Sequence, residues 1–398
     1  MTMNKANSTR LHGLAEIFTV SLRLGLTSFG GPIAHLGYFY NEYVERRKWL
    51  DEKSYADLVA LCQVLPGPAS SQVGMGIGAM RGGVMGAVAA WLGFTLPSFL
   101  ILVFFALFLE SLQLNNTGFI YGLKIVAVAI VAHAVLGMGR KLTPDRDRAT
   151  IAIVTAIIIL LWHTAFTQVF LIFAAAVTGV FLYKDKVIPN VSSINLSISR
   201  RFAMVCIALF FSLLVVLPIL RQVFSFQAMA LLDSFYRAGA LVFGGGHVVL
   251  PLLEREVVPV GWVSQELFLA GYGAAQAVPG PLFTFGSYLG AVTAGWSGAI
   301  IATLAVFFPA ALLILGILPF WNSLRKYPKV QGALTGVNAA VVGLLLAALY
   351  DPIWTSSINR PLDFAFAAVL FGMLEYWKLQ PLIIVLTGAI GGSILFML

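Results

Sequence analysis

Charge is what this sequence is short of. Asp, Glu, Lys and Arg together make up 11% of the 398 residues, and the acids are the scarcer, 17 against 25 Lys and Arg. A soluble domain carries about 25% charged residues, so a water-facing globule is excluded. Cysteine is nearly absent. Cys62 and Cys206 both stand in apolar sequence without metal-ligand spacing, so they read as small core residues and no disulfide is expected. No paired acids, nucleophile triad, phosphate loop or metal-ligand cluster is present, which argues against an enzyme, a cofactor or a metal centre. No run alternates apolar and polar residues with period 2, which excludes lipid-facing barrel strands. The polar start, 1–13, has no signal-peptide core with a cleavage site, so insertion is expected to rely on the first helices.

What abounds is apolar sequence. Hydrophobic residues make up 59% of the chain, and the mean hydropathy is +0.91. Runs such as 84–109, 151–161 followed by 166–182, and 381–398 are long enough, alone or with their flanks, to cross the roughly 30 Å hydrocarbon layer as helices. The net charge of +8 sits in short loops, which makes it a topology signal rather than a nucleic-acid surface. Arg140, Lys141, Arg146 and Arg148 mark one cytoplasmic loop, Lys184, Lys186, Arg200 and Arg201 a second, and Arg325, Lys326 and Lys329 a third. Loops 110–117 and 162–164 have no Lys or Arg and are expected outside.

The organising feature is a duplication. Gln63-Val64-Leu65-Pro66-Gly67-Pro68 recurs as Gln276-Ala277-Val278-Pro279-Gly280-Pro281. Around it Arg23, Gly25, Phe29, Gly30 and Gly31 match Arg237, Gly239, Phe243, Gly244 and Gly245, Trp49 matches Trp262, and Gly78, Gly83, Gly86 and Pro97 match Gly290, Gly295, Gly298 and Pro309. The separation shortens one residue at a time, as small loop deletions would make it do. Pro-Gly-Pro at membrane depth breaks a helix, because each Pro lacks an amide hydrogen and the Gly tolerates the turn. Bare backbone there must be buried in protein or face a watery cavity.

The expected fold is therefore an all-α polytopic membrane protein of two inverted-topology repeats with broken, re-entrant helices and nine to eleven crossings. Residues 11–183 form the first repeat and 228–398 the second. Residues 184–227 are a linker with an unpaired span at 202–220, the element that inverts one half relative to the other. Residues 41–53 read as a surface loop or interfacial helix.

Arg23 and Arg237 are the most informative side chains. A mid-helix arginine costs at least about 2.5–3.5 kcal/mol on insertion scales. Facing an anion at a pseudo-symmetry axis, each would gain on the order of 4 kcal/mol at about 4 Å before desolvation. The alternative is an ion-paired arginine: Asp233 stands one turn before Arg237, whereas the first copy has Thr19 there. Half-helices opening at Ser70-Ser71 and at Thr284 would point amide hydrogens and positive dipole ends into the breaks. Gln63 and Gln276 offer neutral donors or backbone caps. Gly30, Gly31, Gly244 and Gly245 offer amides or tight packing. His35 and His247 read as proton relays or structural helix-end residues, and Glu42 and Glu256 as proton carriers or salt-bridge partners of Arg46 and Arg255.

Phe29-Gly30-Gly31-Pro32, residues 63–68 and their copies Phe243-Gly244-Gly245-Gly246 and 276–281 resemble the chromate ion transporter family in its long, two-domain form. The match covers nearly the whole chain; Gly246 replaces Pro32 in the second copy, so the halves need not contribute equally. The resemblance implies export of chromate, conferring resistance, across a bacterial cytoplasmic (inner) membrane, with sulfate as the related tetrahedral dianion. Residue composition alone reaches only a secondary transporter of a small anion, driven by a coupling ion or the membrane potential. Sulfate import or exchange, a scaffold or lipid-handling protein, and homodimerisation are the alternatives.

Overall fold

A computed structural model describes residues 2–29, 31–111, 118–162, 165–183, 198–224, 226–243, 248–321 and 327–397. The protein is an all-α polytopic membrane protein. Its helices are α1 (Thr2–Thr27), α2 (Gly31–Phe39), α3 (Glu52–Val64), α4 (Ala69–Ser111), α5 (Gly118–Leu142), α6 (Arg146–Leu161) and α7 (Ala165–Leu182). Then come α8 (Arg200–Val223), α9 (Gln227–Leu241), α10 (Val249–Val257), α11 (Gln265–Ala275), α12 (Phe285–Ile317), α13 (Pro328–Ala348), α14 (Pro361–Glu375) and α15 (Pro381–Met397). The polar start of the chain belongs to α1. A π-helical turn, Tyr40–Arg46, extends α2 and buries Glu42 and Tyr43, so this part of the expected surface loop packs inside.

The matched positions adopt matched local structure. Asp51 caps α3 by accepting from the Ser54 amide at 3.0 Å, and Ser264 caps α11 by accepting from the Leu267 amide at 3.3 Å. Both helices end at Pro-Gly-Pro, where Gly67 and Gly280 take φ +115° and +103°, values open to glycine and strained for other residues. The chain then folds back. Leu58 packs on Gly76, Tyr288 packs on Gly271 and donates its hydroxyl to the Leu267 carbonyl at 2.9 Å, and the Phe268 and Phe285 rings meet at 5.1 Å. Each Pro-Gly-Pro is thus the tip of a helical hairpin.

A second reversal follows in each copy. Residues 69–110 and 282–320 each run as one long helical stretch holding a window apolar enough to cross a membrane. Yet Gly83 and Gly295 adopt φ 61° and 58°, and the carbonyl of Gly86 packs on Gly78 as that of Gly298 does on Gly290. Residues eight apart in a continuous helix are separated by about 12 Å, so such contacts require the chain to double back. Helix α4 is therefore a short hairpin arm, α4a (69–81), followed by a crossing helix, α4b (84–111); α12 divides into α12a (285–293) and α12b (296–317) in the same way. The equivalent crossing helices run antiparallel, with Trp91 near the start of α4b against Phe307 at 5.8 Å and Phe104 near its end against Trp296 at 5.6 Å.

Beyond α4b and α12b the two halves exchange partners. Gly118 and Gly122 of α5 press on Ser393, Gly388 and Gly392 of α15, while Gly332 and Gly336 of α13 press on Gly179 and Ala175 of α7. Small residues let membrane helices touch backbone to backbone. Polar contacts add to the first seam: Tyr121 of α5 hydrogen-bonds Asp363, and Arg360 donates to the Tyr121 hydroxyl at 2.9 Å and to the Leu395 carbonyl at 3.0 Å. Gly122→Leu has nowhere to place its side chain and should abolish a monodisperse peak in fluorescence-detected size-exclusion chromatography. Gly137→Ala, on the same helix with no atom within 4 Å of the added Cβ, should leave that peak unchanged.

Candidate functional site

Each hairpin tip is held by the opposite half. The Gly67 amide donates to the Val242 carbonyl at 2.6 Å, and the Gly280 amide donates to the Ser28 carbonyl at 3.0 Å. Ser28 and Val242 follow the ends of α1 and α9, directly before the Phe-Gly-Gly segments. A Cβ on Gly67 would stand 2.8 Å from the Ala310 Cβ, and one on Gly280 would stand 2.9 Å from the Ser98 Oγ. Ala310 and Ser98 each follow the proline inside a crossing helix, Pro309 and Pro97. A helix proline leaves the carbonyl four residues earlier without its amide partner. Two proline-broken hairpin tips therefore meet two proline-interrupted crossing helices about one pseudo-twofold centre.

The first copy makes this centre polar. His35 lies with Nδ1 3.2 Å from the Ser70 Oγ and its ring edge-on to Phe94 at 5.5 Å. Gln72 donates from Nε2 to the Pro66 carbonyl at 2.9 Å, which ties the tip shut and fixes the amide orientation, because the flipped form would oppose two carbonyl oxygens. Its Oε1 is left buried with no partner among the described residues, as are Ser28 Oγ, Ser71 Oγ, Thr95 Oγ1 and Gln276 Nε2. Ser28, Ser71, Gln72 and Thr95 are at most 3% exposed. Leaving a buried polar group unpaired costs about 1–3 kcal/mol, so a concentration of them along the two tips and their supports marks a place made to hold something polar. Hydroxyls and an amide NH₂ can all donate to oxyanion oxygens.

The second copy supplies less. Phe283, Thr284 and Phe285 stand where the first has Ser70, Ser71 and Gln72, and the Thr284 hydroxyl is already bonded to the Pro281 carbonyl at 2.6 Å. Gln276 is half-buried, whereas Gln63 is exposed. Gly31 takes φ +81° at the start of α2. Gly30, Gly244, Gly245 and His247 lie outside the described residues.

The two arginines have different fates. Arg237 is bound by Asp233 through two contacts of 3.0 Å and by Glu256 at 2.8 Å, with Arg221 joining Asp233 at 3.2 Å. Its charge is matched by two carboxylates, the ion-paired alternative, and a bare guanidinium facing an anion is not what the fold presents at this position. Arg23 is exposed and has no ion pair among the described residues. Glu42 pairs with Arg46 at 3.0 Å and Arg47 at 2.7 Å, while Glu256 pairs with Arg237 at 2.8 Å and lies 3.9 Å from Arg221. Among the described residues no group of three or more His, Cys, Asp and Glu gathers to hold a metal ion. Ser28, Thr95 and Ser98 escaped the sequence reading, although each is a small polar residue within two positions of a Gly or Pro break, and Gln72 figures in it only as part of the half-helix opening at 69–72.

Removing Arg237 leaves Asp233 and Glu256 short of their counter-charge. Arg237→Gln should lower unfolding stability by about 2–3 kcal/mol, below the roughly 3–5 kcal/mol of a fully buried pair because Arg237 is partly exposed. Arg23→Gln should leave the melting temperature within about a degree, since surface substitutions usually change stability by under about 0.5 kcal/mol. Thermal unfolding in detergent reads both.

Comparison with known proteins agrees with the duplication. A family model described as chromate transporter matches residues 15–180 and again residues 229–393. The chain is 30% identical to a probable chromate transport protein of Synechococcus elongatus over 96% of its own length and 95% of that protein. It is 28% identical to a chromate transport protein of Pseudomonas aeruginosa, covering 96% and 92%, and 27% identical to an uncharacterized transporter of Methanocaldococcus jannaschii, covering 93% and 87%. No solved structure matches the chain. Both halves match the one model, and the chain belongs to the chromate transporter family.

Proposed function

We propose that this protein is a secondary transporter that exports chromate across a bacterial cytoplasmic membrane, with its anion site between the clasped hairpin tips. The observation that carries the reading is the reciprocal bonding of Gly67 to Val242 and of Gly280 to Ser28 beside buried, unpaired hydrogen-bond donors. The repeats, 11–183 and 228–398, are joined through 184–227 and inserted in opposite orientations, a reading supported by the antiparallel crossing helices. Each hairpin re-enters from its own face. Rocking of one repeat against the other then exposes the same centre to either side.

Neutral donors coordinate the tetrahedral oxyanion: Ser71, Thr95 and Ser28 through hydroxyls, Gln276 through its NH₂, and the α4a amides around Ser70 and Ser71 through the free N–H groups of a helix start. Arg23 is the guanidinium left to attract the anion, while Arg237 stays with its carboxylates. The family match supports passage of the anion as the role. An inside-negative potential favours outward movement of a dianion by about 4.6 kcal/mol per 100 mV, at about 2.3 kcal/mol per charge. Export therefore needs no ATP site.

Proteoliposomes loaded with labelled chromate and held at a negative internal potential should release it, and collapse of the potential should slow release. A hydrogen bond to a charged ligand is worth about 1.5–3 kcal/mol, so Ser71→Ala and Thr95→Ala should each lower flux roughly tenfold or more. Thr284→Val, whose hydroxyl is satisfied within its own turn, should cost under about threefold. Labelled sulfate in a parallel arm measures selectivity. Wild-type flux in both hydroxyl variants would remove the proposed site, and flux of sulfate alone would reassign the substrate.

A further inference from the structure

An apolar groove of about 360 Å³ runs between α4b, α8 and α12b, lined among others by Val88, Trp91, Cys206, Leu209, Leu304 and Leu315. Every residue lining it is apolar. From Leu304 to Leu315 it follows α12b for about 16 Å, at about 1.5 Å per residue, roughly half the 30 Å hydrocarbon thickness. That is the depth of one leaflet.

At one end the groove runs into a cleft of about 650 Å³, which shares Val84 and Phe202 with it and is lined also by Arg81, Gly82, Gly83 and Ser199. Arg200 and Arg201 stand between Ser199 and Phe202, both exposed and both without an ion pair among the described residues. Arg81 stacks on Trp49 at 4.3 Å and shares Glu16, at 3.6 Å, with Arg47. Arg81 is the charged residue lining the cleft, Arg200 and Arg201 flank it in the chain between its lining residues Ser199 and Phe202, and the groove is wholly apolar. The basic end coincides with the loops whose Lys and Arg mark the cytoplasmic face, where the leaflet is anionic.

We infer that the groove and cleft together bind one anionic phospholipid of the inner leaflet, its phosphate at Arg200, Arg201 and Arg81 and an acyl chain along α8. The occupant bridges α4b of the first repeat, α12b of the second and the unpaired α8 between them. Charge complementarity at the cleft and the single-leaflet length of the groove select a phospholipid over a peptide or a free anion.

Trp91 is a built-in reporter. Full-length protein would be placed in nanodiscs of phosphatidylcholine with increasing mole fractions of either phosphatidylglycerol or phosphatidylcholine brominated on the acyl chain. The Trp91 signal is the fluorescence lost between wild type and Trp91→Phe. Brominated phosphatidylglycerol should quench it at a mole fraction at least tenfold lower than brominated phosphatidylcholine, and Arg200→Gln/Arg201→Gln should bring the two curves together. Equal quenching by both headgroups in the wild type, or none by either, overturns the inference. If Trp91→Phe does not fold, native mass spectrometry carries the same comparison: the wild type should retain one phosphatidylglycerol and the double arginine variant should lose it. Retention by both, or by neither, is the contrary result.

Discussion

Backbone polar groups at the depth of a bilayer have no water to bond, so whatever breaks a helix there must find its partners inside the protein. Two Pro-Gly-Pro segments create that demand, and each meets part of it on the other half of the chain. The Gly67 amide goes to the Val242 carbonyl and the Gly280 amide to the Ser28 carbonyl. From this follows the rest of the architecture. Tips that each need the opposite half cannot belong to two independent domains, and the exchange of α5 and α13 between halves, through Gly122 on Gly388 and Gly336 on Ala175, interlocks the repeats further.

Pseudo-symmetry in backbone does not carry over to chemistry. Ser70, Ser71 and Gln72 open the first half-helix, while Phe283, Thr284 and Phe285 occupy the second. One tip is a polar surface with unpaired groups, and the other is largely an aromatic wedge packed on Tyr272, Phe268 and Phe307. Ion pairing is lopsided as well. Asp233 and Glu256 hold Arg237, but Thr19 stands where Asp233 would be and leaves Arg23 without that partner. The duplicated scaffold thus carries one chemically specialised copy and one that is mostly aromatic.

The duplication, the breaks and the all-α membrane class could be read from the sequence because glycine and proline act locally: Gly67 and Gly280 need their positive φ wherever the chain runs. The ends of the hairpin arms near 80 and 291 and new spans from 84 and 297 were legible too, at Arg81-Gly82-Gly83 and at Gly295, although the positive φ of Gly83 and Gly295 appears only in the fold. The exchange of helices was not legible. Gly118, Gly122, Gly332 and Gly336 announce close approach, but a small residue does not name its partner. Asp233 one turn from Arg237 hinted at an ion pair; Glu256 and Arg221 arrive only through tertiary packing. Ser28 and Thr95 look like ordinary small polar residues of apolar sequence, and only burial without a side-chain partner sets them apart.

The central claim is that neutral groups, most of them from the first repeat, gathered where each tip meets the opposite half, hold the anion. Selenate is a tetrahedral dianion with an anomalous scatterer at its centre. A crystal of the wild-type protein grown with selenate should show one anomalous peak between the Pro-Gly-Pro tips, with anion oxygens within hydrogen-bond distance of Ser71 Oγ and Thr95 Oγ1. A peak held instead by Arg23 or Arg237, with Ser71 and Thr95 still unpaired, would contradict the account.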